Sequence, residues 1–312
     1  MRGILKSSKT FIVPGKWILA GEHSVLRGGE AIVFPLMSRF LKLTYQPDAD
    51  IKRSEALSIQ LVGQENQKLE TVIRSVIYRA FEKLGLGANE VCGELQFESC
   101  IRFGAGMGAS ATLCVALTRL LCELGYINHT EMYEFARDLE NLFHGESSGV
   151  DVAVALGQQP MIFSRLEGFK TFSLAQKPFL YLSYTGVQGV TKDCVTKVKS
   201  ILQEQPEFGK QVDQQMFAAV EKFKSHILSK ASTEVNLDLW QQLMTLAYGC
   251  FQQWGLVNPI VEKHEQLLKK AGARAVKLTG SGGGGYMLSL WERPPEGLEF
   301  EMIPCFGLEE SK

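Results

Sequence analysis

The chain has 312 residues, 45% hydrophobic and 21% charged, a composition ordinary for a folded enzyme and long enough for two lobes. Its 33 basic and 34 acidic residues leave a net charge of −1, which excludes a broad electrostatic surface for nucleic acid or anionic membrane. No stretch approaches the roughly 18 consecutive apolar residues of a membrane span, the N-terminal MRGILKSSKTFIV has no secretory apolar core, and the seven cysteines, odd in number and without a C-x-x-C, read as reduced thiols of a cytoplasmic protein.

From Lys9 to Pro47 apolar and polar residues alternate, with Gly28-Gly29 as a turn, which predicts strands in an antiparallel meander. Leu69, Val72, Ile73, Val76, Ile77, Ala80 and Phe81 then recur at helical spacing, closed by Gly85. GELQFESCIRF reads as a short strand leading into a glycine loop, GAGMGAS, and a helix from about Ser110 to Leu124 that stops at Gly125. Asn128 and Glu131 make a capping box for the next helix, whose apolar stripe is Met132, Phe135, Ala136, Leu139, Leu142 and Phe143. Beyond Met161 the pattern gives strands in PMIFSRL and PFLYLSYTG, and helices over 191–204, 213–230, 235–254 and 258–271. Two closing strands, ARAVKLTG and GYMLSLW, flank a run of glycines. Strands and helices without a regular βαβ alternation predict an α+β chain, with lobes over 1–165 and 166–312 and no linker between them.

The glycine loop admits several readings. The Walker signature G-x-x-x-x-G-K-[ST] is absent from the chain. GAGMGA does satisfy the dinucleotide pattern, but the preceding strand carries Glu94, Glu98 and Arg102, and no acid stands about 20 residues on. Glycines at a helix entrance also serve close packing alone. With Ser110, however, the loop offers backbone N–H groups and a hydroxyl at a helix N-terminus, a setting for polyphosphate and Mg²⁺. Phosphoryl transfer would further need a carboxylate for the metal, a cation and a base.

Glu140 borders the apolar stripe of its helix, where an acid needs a partner, although a flank acid reaching outward is the commoner case. Asp151 stands where a polar turn meets VAVAL, either as a helix cap or as a carboxylate at a dry site edge. Lys16 shares a strand face with Ile18 and Ala20, and a strand-end lysine on the rim is its ordinary explanation. His23 is by default a structural histidine. Four successive glycines, 282 to 285, lie between strands, where a close backbone approach explains them better than a mere hairpin.

Taken in order, these strings resemble the GHMP kinase superfamily, and the mevalonate kinases most closely. PGKWILAGEHSVLRGGEAIVFPL is similar to the first motif, GAGMGASAT to the second, ENLFHGESSGVD to the segment that carries a glutamate and an aspartate, and KLTGSGGGG to the third; together they span residues 13 to 286. The resemblance implies a two-lobed fold, with a ribosomal protein S5 domain 2-like N-terminal lobe and a ferredoxin-like C-terminal lobe. It implies ATP and Mg²⁺ as cofactors and a small alcohol as acceptor, with no nucleic-acid or membrane partner and a homodimer as the association to expect. By position, Gly104, Ala105, Gly106, Met107, Gly108, Ala109 and Ser110 would bind ATP. Ser110 and Glu140 would hold the metal, Asp151 would act as base and Lys16 as the catalytic cation. Glu22, His23, Thr191, Gly280, Gly282 and Gly283 would line the acceptor site.

The chain departs from the family pattern in several places. Ala109 stands for a serine, Arg102-Phe103 for prolines, and Glu146-Ser147 for threonine or asparagine and proline. Gly189 occupies an arginine position in YTGVQGVTK, whose charge Lys192 or Arg102 would have to supply. The rival classes are another GHMP kinase acceptor, a ligand sensor without turnover, and a dehydrogenase built on GAGMGA.

Overall fold

The computed structural model describes residues 7–47, 57–63, 67–87, 90–144, 147–229 and 235–307. The start of the N-terminal segment and Glu146 lie outside the described residues. The chain divides into two compact units. The first comprises residues 1–15, 38–102 and 109–158, the second residues 16–37, 103–108 and 159–312. A single cut near residue 165 does not describe this division, because 16–37 and 103–108 group with the C-terminal half.

Two long strands, β1 (Lys9–Ala20) and β2 (Glu30–Pro47), pair with each other and run from one unit into the other. A single 3-10 turn over Ser24–Arg27 joins them and ends at Gly28, whose φ of 88° suits a residue without a side chain.

In the first unit, the C-terminal end of β2 lies antiparallel to β4 (Gly93–Ser99), from Leu41 opposite Ser99 to Pro47 opposite Gly93. A short strand, β3 (Ser58–Leu61), adds in parallel to β4, the crossover being helix α1 (Gln67–Leu84). Neither β3 nor its parallel pairing was legible in the meander pattern. Helices α2 (Ala109–Glu123), α3 (Met132–His144) and α4 (Val150–Gly157) complete the unit. The core joins Ile73, Val76, Ile77 and Ala80 of α1 to Leu113, Leu117, Leu120 and Leu121 of α2 and Leu139 of α3. Each buried aliphatic side chain of this kind contributes about 1.5–3 kcal/mol. Leu142 departs from the predicted stripe: it is 49% exposed, at the edge of the face that Phe135, Ala136 and Leu139 bury.

In the second unit, the start of β2 pairs antiparallel with β5 (Met161–Ser164), which pairs with β6 (Gly168–Thr171). A separate antiparallel sheet has the order β10 (Ile303–Pro304), β7 (Phe179–Tyr184), β9 (Tyr286–Trp291), β8 (Ala275–Leu278). Helices α5 (Thr191–Glu204), α6 (Pro206–Leu228), α7 (Leu237–Gln253) and α8 (Pro259–Lys270) accompany it, α7 and α8 both capped by asparagines, Asn236 and Asn258. The Trp17 and Phe34 rings stack 4.2 Å apart, and Arg27 grips Asp213 of α6 through two nitrogens, at 2.5 and 2.6 Å.

Candidate active site

The predicted site residues fall in both units, and each unit holds a chemically coherent set. In the second unit the glycine loop 103–108 is held by its carbonyls. The Phe103 oxygen accepts from Gln188 Nε2 at 3.0 Å, the Ala105 oxygen from the Tyr286 amide at 3.1 Å, and the Met107 oxygen from the Lys16 amide at 3.0 Å. Between these anchors Gly104, Gly106 and Gly108 take φ values of 70°, 87° and 74°, a conformation that side chains resist. With alternate carbonyls tied down, no protein acceptor among the described residues faces the amides of 104–108. Backbone N–H groups left over in this way form an anion cradle. The chain then passes directly into α2, whose second residue is Ser110.

The third motif packs against this loop. A Cβ on Gly106 would meet the Thr279 oxygen at 2.7 Å, and one on Gly285 would meet the Ala105 oxygen at 2.5 Å. Gly280 and Gly282 to Gly285 all have positive φ. The close-approach reading of this run therefore holds over the flexible-hairpin one.

Lys16 is 4% exposed, in the middle of a stretch of β1 buried on both faces. This corrects the rim reading: from Val13 to Ala20 neither face of the strand meets solvent. Glu22 is 3% exposed and gives one oxygen to Lys277 Nζ at 2.5 Å. Its other oxygen, Oε2, is buried without a hydrogen-bond partner. Burial pushes the Glu22 carboxyl up, against the pull of Lys277.

His23 has a φ of 58°, rare for a residue with a side chain, and its Nε2 donates to the Ser281 carbonyl at 2.8 Å. Burial among Phe251 and Trp254 lowers its pKa to about 4, so it is neutral with Nδ1 left as an acceptor. Thr191 opens α5 and shares a hydrogen bond of 3.1 Å with the Ser281 hydroxyl. Lys192 and Arg102, the substitutes named for the missing arginine, are both exposed.

In the first unit Glu140 is 2% exposed, so the outward-reaching alternative fails for it. It accepts a short hydrogen bond from the Ser147 hydroxyl. Ser147 is the organiser of this turn: its amide donates to Asn141 Oδ1 at 2.8 Å and its Oγ accepts from the Gly149 amide at 3.0 Å. Burial, with the charge of Glu140 added to it, raises the Cys114 thiol, which lies one turn after Ser110 on α2. Asp151 is the second residue of α4, whose cap is Gly149 at φ 84°, so Asp151 sits within the first helical turn rather than capping it. The Tyr133 hydroxyl occupies the space where a Cβ on Gly149 would stand, at 2.1 Å.

Three residues had been given no role by the sequence: Ser147, Tyr133 and Lys277. Ser147 was visible as a departure from the family pattern, and Lys277 as a lysine inside an otherwise apolar strand. Tyr133 had no signal.

Residues 71–158 match the model of the GHMP kinases N terminal domain. The mevalonate kinase of Pyrococcus horikoshii is 31% identical, the match covering 89% of this chain and 87% of that one. The chain belongs to the mevalonate kinase family of GHMP kinases. A second member, the mevalonate kinase of Pyrococcus furiosus, is 30% identical with the same coverage. The fold agrees with that of L. major mevalonate kinase, solved in complex with R-mevalonate, at a TM-score of 0.76 and 24% identity over 94% of this chain and 90% of that one. As a member of this family the chain is an ATP-dependent kinase, and the α+β, two-lobed architecture expected from its motifs is that of its family. Among the described residues no helix is long and apolar enough to cross a membrane.

Proposed function

We propose that this chain transfers the γ-phosphoryl group of ATP to the 5-hydroxyl of mevalonate, in the cytoplasm, as a step toward isoprenoids. The observation that carries the reading is the loop 103–108, whose alternate carbonyls are bound by protein while the amides of 104–108 remain for an anion. Gly104 to Ser110 bind the triphosphate through these amides and the start of α2, where the helix dipole favours negative charge.

The donor set suits Mg²⁺, which takes one or two carboxylates and completes its shell with phosphates and water. Glu140, buried and oriented by Ser147, and Ser110 would hold it, and when bound it supplies neutralisation of the phosphate charge. Asp151 accepts the proton of the acceptor hydroxyl. As that oxygen bonds to the γ-phosphorus, the bond to the bridging oxygen breaks and ADP leaves. Lys16, held within a buried strand, contributes positive charge at the transferring group. Glu22, His23, Thr191, Gly280, Gly282 and Gly283 line the acceptor site.

Gly189 favours a second reading, a related kinase whose acceptor carries no carboxylate, such as a sugar. A carboxylate is best paired by a guanidinium, and the backbone leaves no room for one at this position. A panel of mevalonate, 5-phosphomevalonate, homoserine and galactose at fixed ATP and Mg²⁺, read by ADP release, decides between the two. The highest kcat/KM for mevalonate supports the first reading, and turnover of another alcohol alone supports the second. ATP binding with no ADP release for any acceptor would indicate a sensor.

A further inference from the structure

Lys277 has no part in the assignments above, yet it is a fully buried charge with every donor satisfied. It sits in β8, whose four residues are all buried, and its own side chain is 0% exposed. An ammonium leaves water only with its donors fully satisfied. Nζ donates to Glu22 Oε1 at 2.5 Å, to the Leu278 carbonyl at 2.6 Å and to the Ile18 carbonyl at 3.2 Å, which uses all three of its hydrogens. The Phe251 ring lies 5.5 Å away. Lys277 therefore has no hydrogen left for a ligand.

Glu22 is in the opposite condition. One oxygen is fixed by Lys277, while Oε2 is equally buried and has no partner. A buried acceptor left unpaired is costly and uncommon in folded proteins. An apolar residue at 277 would match the rest of β8, and apolar replacements of buried ion pairs are often neutral or stabilising. Packing alone thus gives no reason for a lysine here.

The neighbouring residues repeat the arrangement. Thr279 Oγ1 accepts from the Ile18 amide at 2.8 Å, and the Ser281 carbonyl accepts from His23. Residues 277, 279 and 281 thereby fix 22, 18 and 23 in turn.

We propose that Lys277 is a positioning residue: it orients Glu22 so that Oε2 accepts a hydrogen bond from a hydroxyl of the acceptor. The donor is a hydroxyl and not the acceptor's carboxylate, which has no hydrogen to give. This rests on the reading of the chain as a kinase for a small alcohol.

The test compares wild type, Lys277→Met, Glu22→Gln and the double variant, by KM for the acceptor, KM for ATP, kcat and melting temperature. Lys277→Met and Glu22→Gln each raise the acceptor KM by about tenfold or more, the loss of one charged hydrogen bond, with the ATP KM within about twofold of wild type. Because Lys277 acts through Glu22, adding Lys277→Met to Glu22→Gln raises the acceptor KM no further. If Lys277→Met alone gives no soluble protein, the pair Glu22→Gln and double variant decides: equal acceptor KM values, both raised, support the proposal. A further rise in the double variant shows a direct ligand contact by Lys277 and overturns it. An active wild type whose acceptor KM ignores both substitutions, while only the melting temperature moves, overturns the inference alone. A wild type inert toward every alcohol overturns the functional reading and this inference together.

Discussion

Gly189 and Gly282 meet backbone to backbone: a Cβ on Gly189 would stand 2.1 Å from the Gly282 carbonyl oxygen. The same oxygen accepts from Cys194 Sγ at 3.3 Å, so it has little freedom to retreat. The glycine is thus a packing requirement of this chain, and the family arginine cannot simply be restored. Gly189→Ala is expected to cost about 1–3 kcal/mol of stability by overpacking. Gly189→Arg is expected to cost more and to lower, not raise, kcat/KM for mevalonate. Thermal melts and initial rates on both variants check this.

Ser147 and Glu140 form the next testable pair. Ser147→Ala removes the hydroxyl that Glu140 accepts from and leaves the Gly149 amide without its acceptor. The expected result is a loss of about 1–3 kcal/mol in stability, together with a raised Mg²⁺ requirement. Glu140→Gln raises that requirement further, because it removes the charge itself. Magnesium titrations of ADP release at saturating ATP measure both.

Much of this was legible in the sequence because periodicity and glycine chemistry carry strong signals. Helices α5, α7 and α8 fall within a few residues of their predicted spans, and the positive φ of Gly282 to Gly285 is what a run of glycines between strands implies. What escaped has physical reasons too. Strand β6 is exposed at all four positions, so it has no alternation to read. Helix α6 begins at Pro206, seven residues before its predicted start, because Pro206 and Gly209 read as breakers in the sequence although a proline fits the first helical position. VAVAL, an apolar run without a period, proved to be helix α4. The Glu22–Lys277 pair joins residues 255 positions apart, which no local pattern can link.

Asp151, in the first turn of α4, is the proposed base. Asp151→Asn is expected to lower kcat by about 10²–10⁴-fold, the usual range for loss of a general base, with ATP affinity nearly unchanged. Single-turnover rates and nucleotide titration separate the two effects. A soluble variant with full activity would remove Asp151 from the mechanism.

His23 predicts a pH effect on stability. Its folded pKa of about 4 lies below the ordinary value of 6.5, so between these values the unfolded chain binds more protons. The stability it contributes is complete above about pH 6.5 and is lost as pH falls toward 4, by up to about 3 kcal/mol. His23→Asn, which tolerates the positive φ, should flatten this part of the stability profile. Urea midpoints at pH 7, 5.5 and 4.5 for both proteins test it, and parallel curves would show that His23 does not govern the acid limb.

Whether phosphate moves from ATP to mevalonate can be read directly. The most direct measurement is the fate of label from [γ-³²P]ATP, with Mg²⁺, mevalonate and purified protein, followed by separation of the products. Label is expected in an organic phosphate whose mass is that of mevalonate plus one phosphoryl group, its formation dependent on mevalonate and strongly slowed in Asp151→Asn. Label that passes only to inorganic phosphate, or that stays in ATP with mevalonate but passes to another alcohol in a parallel reaction, would show that mevalonate is not the acceptor.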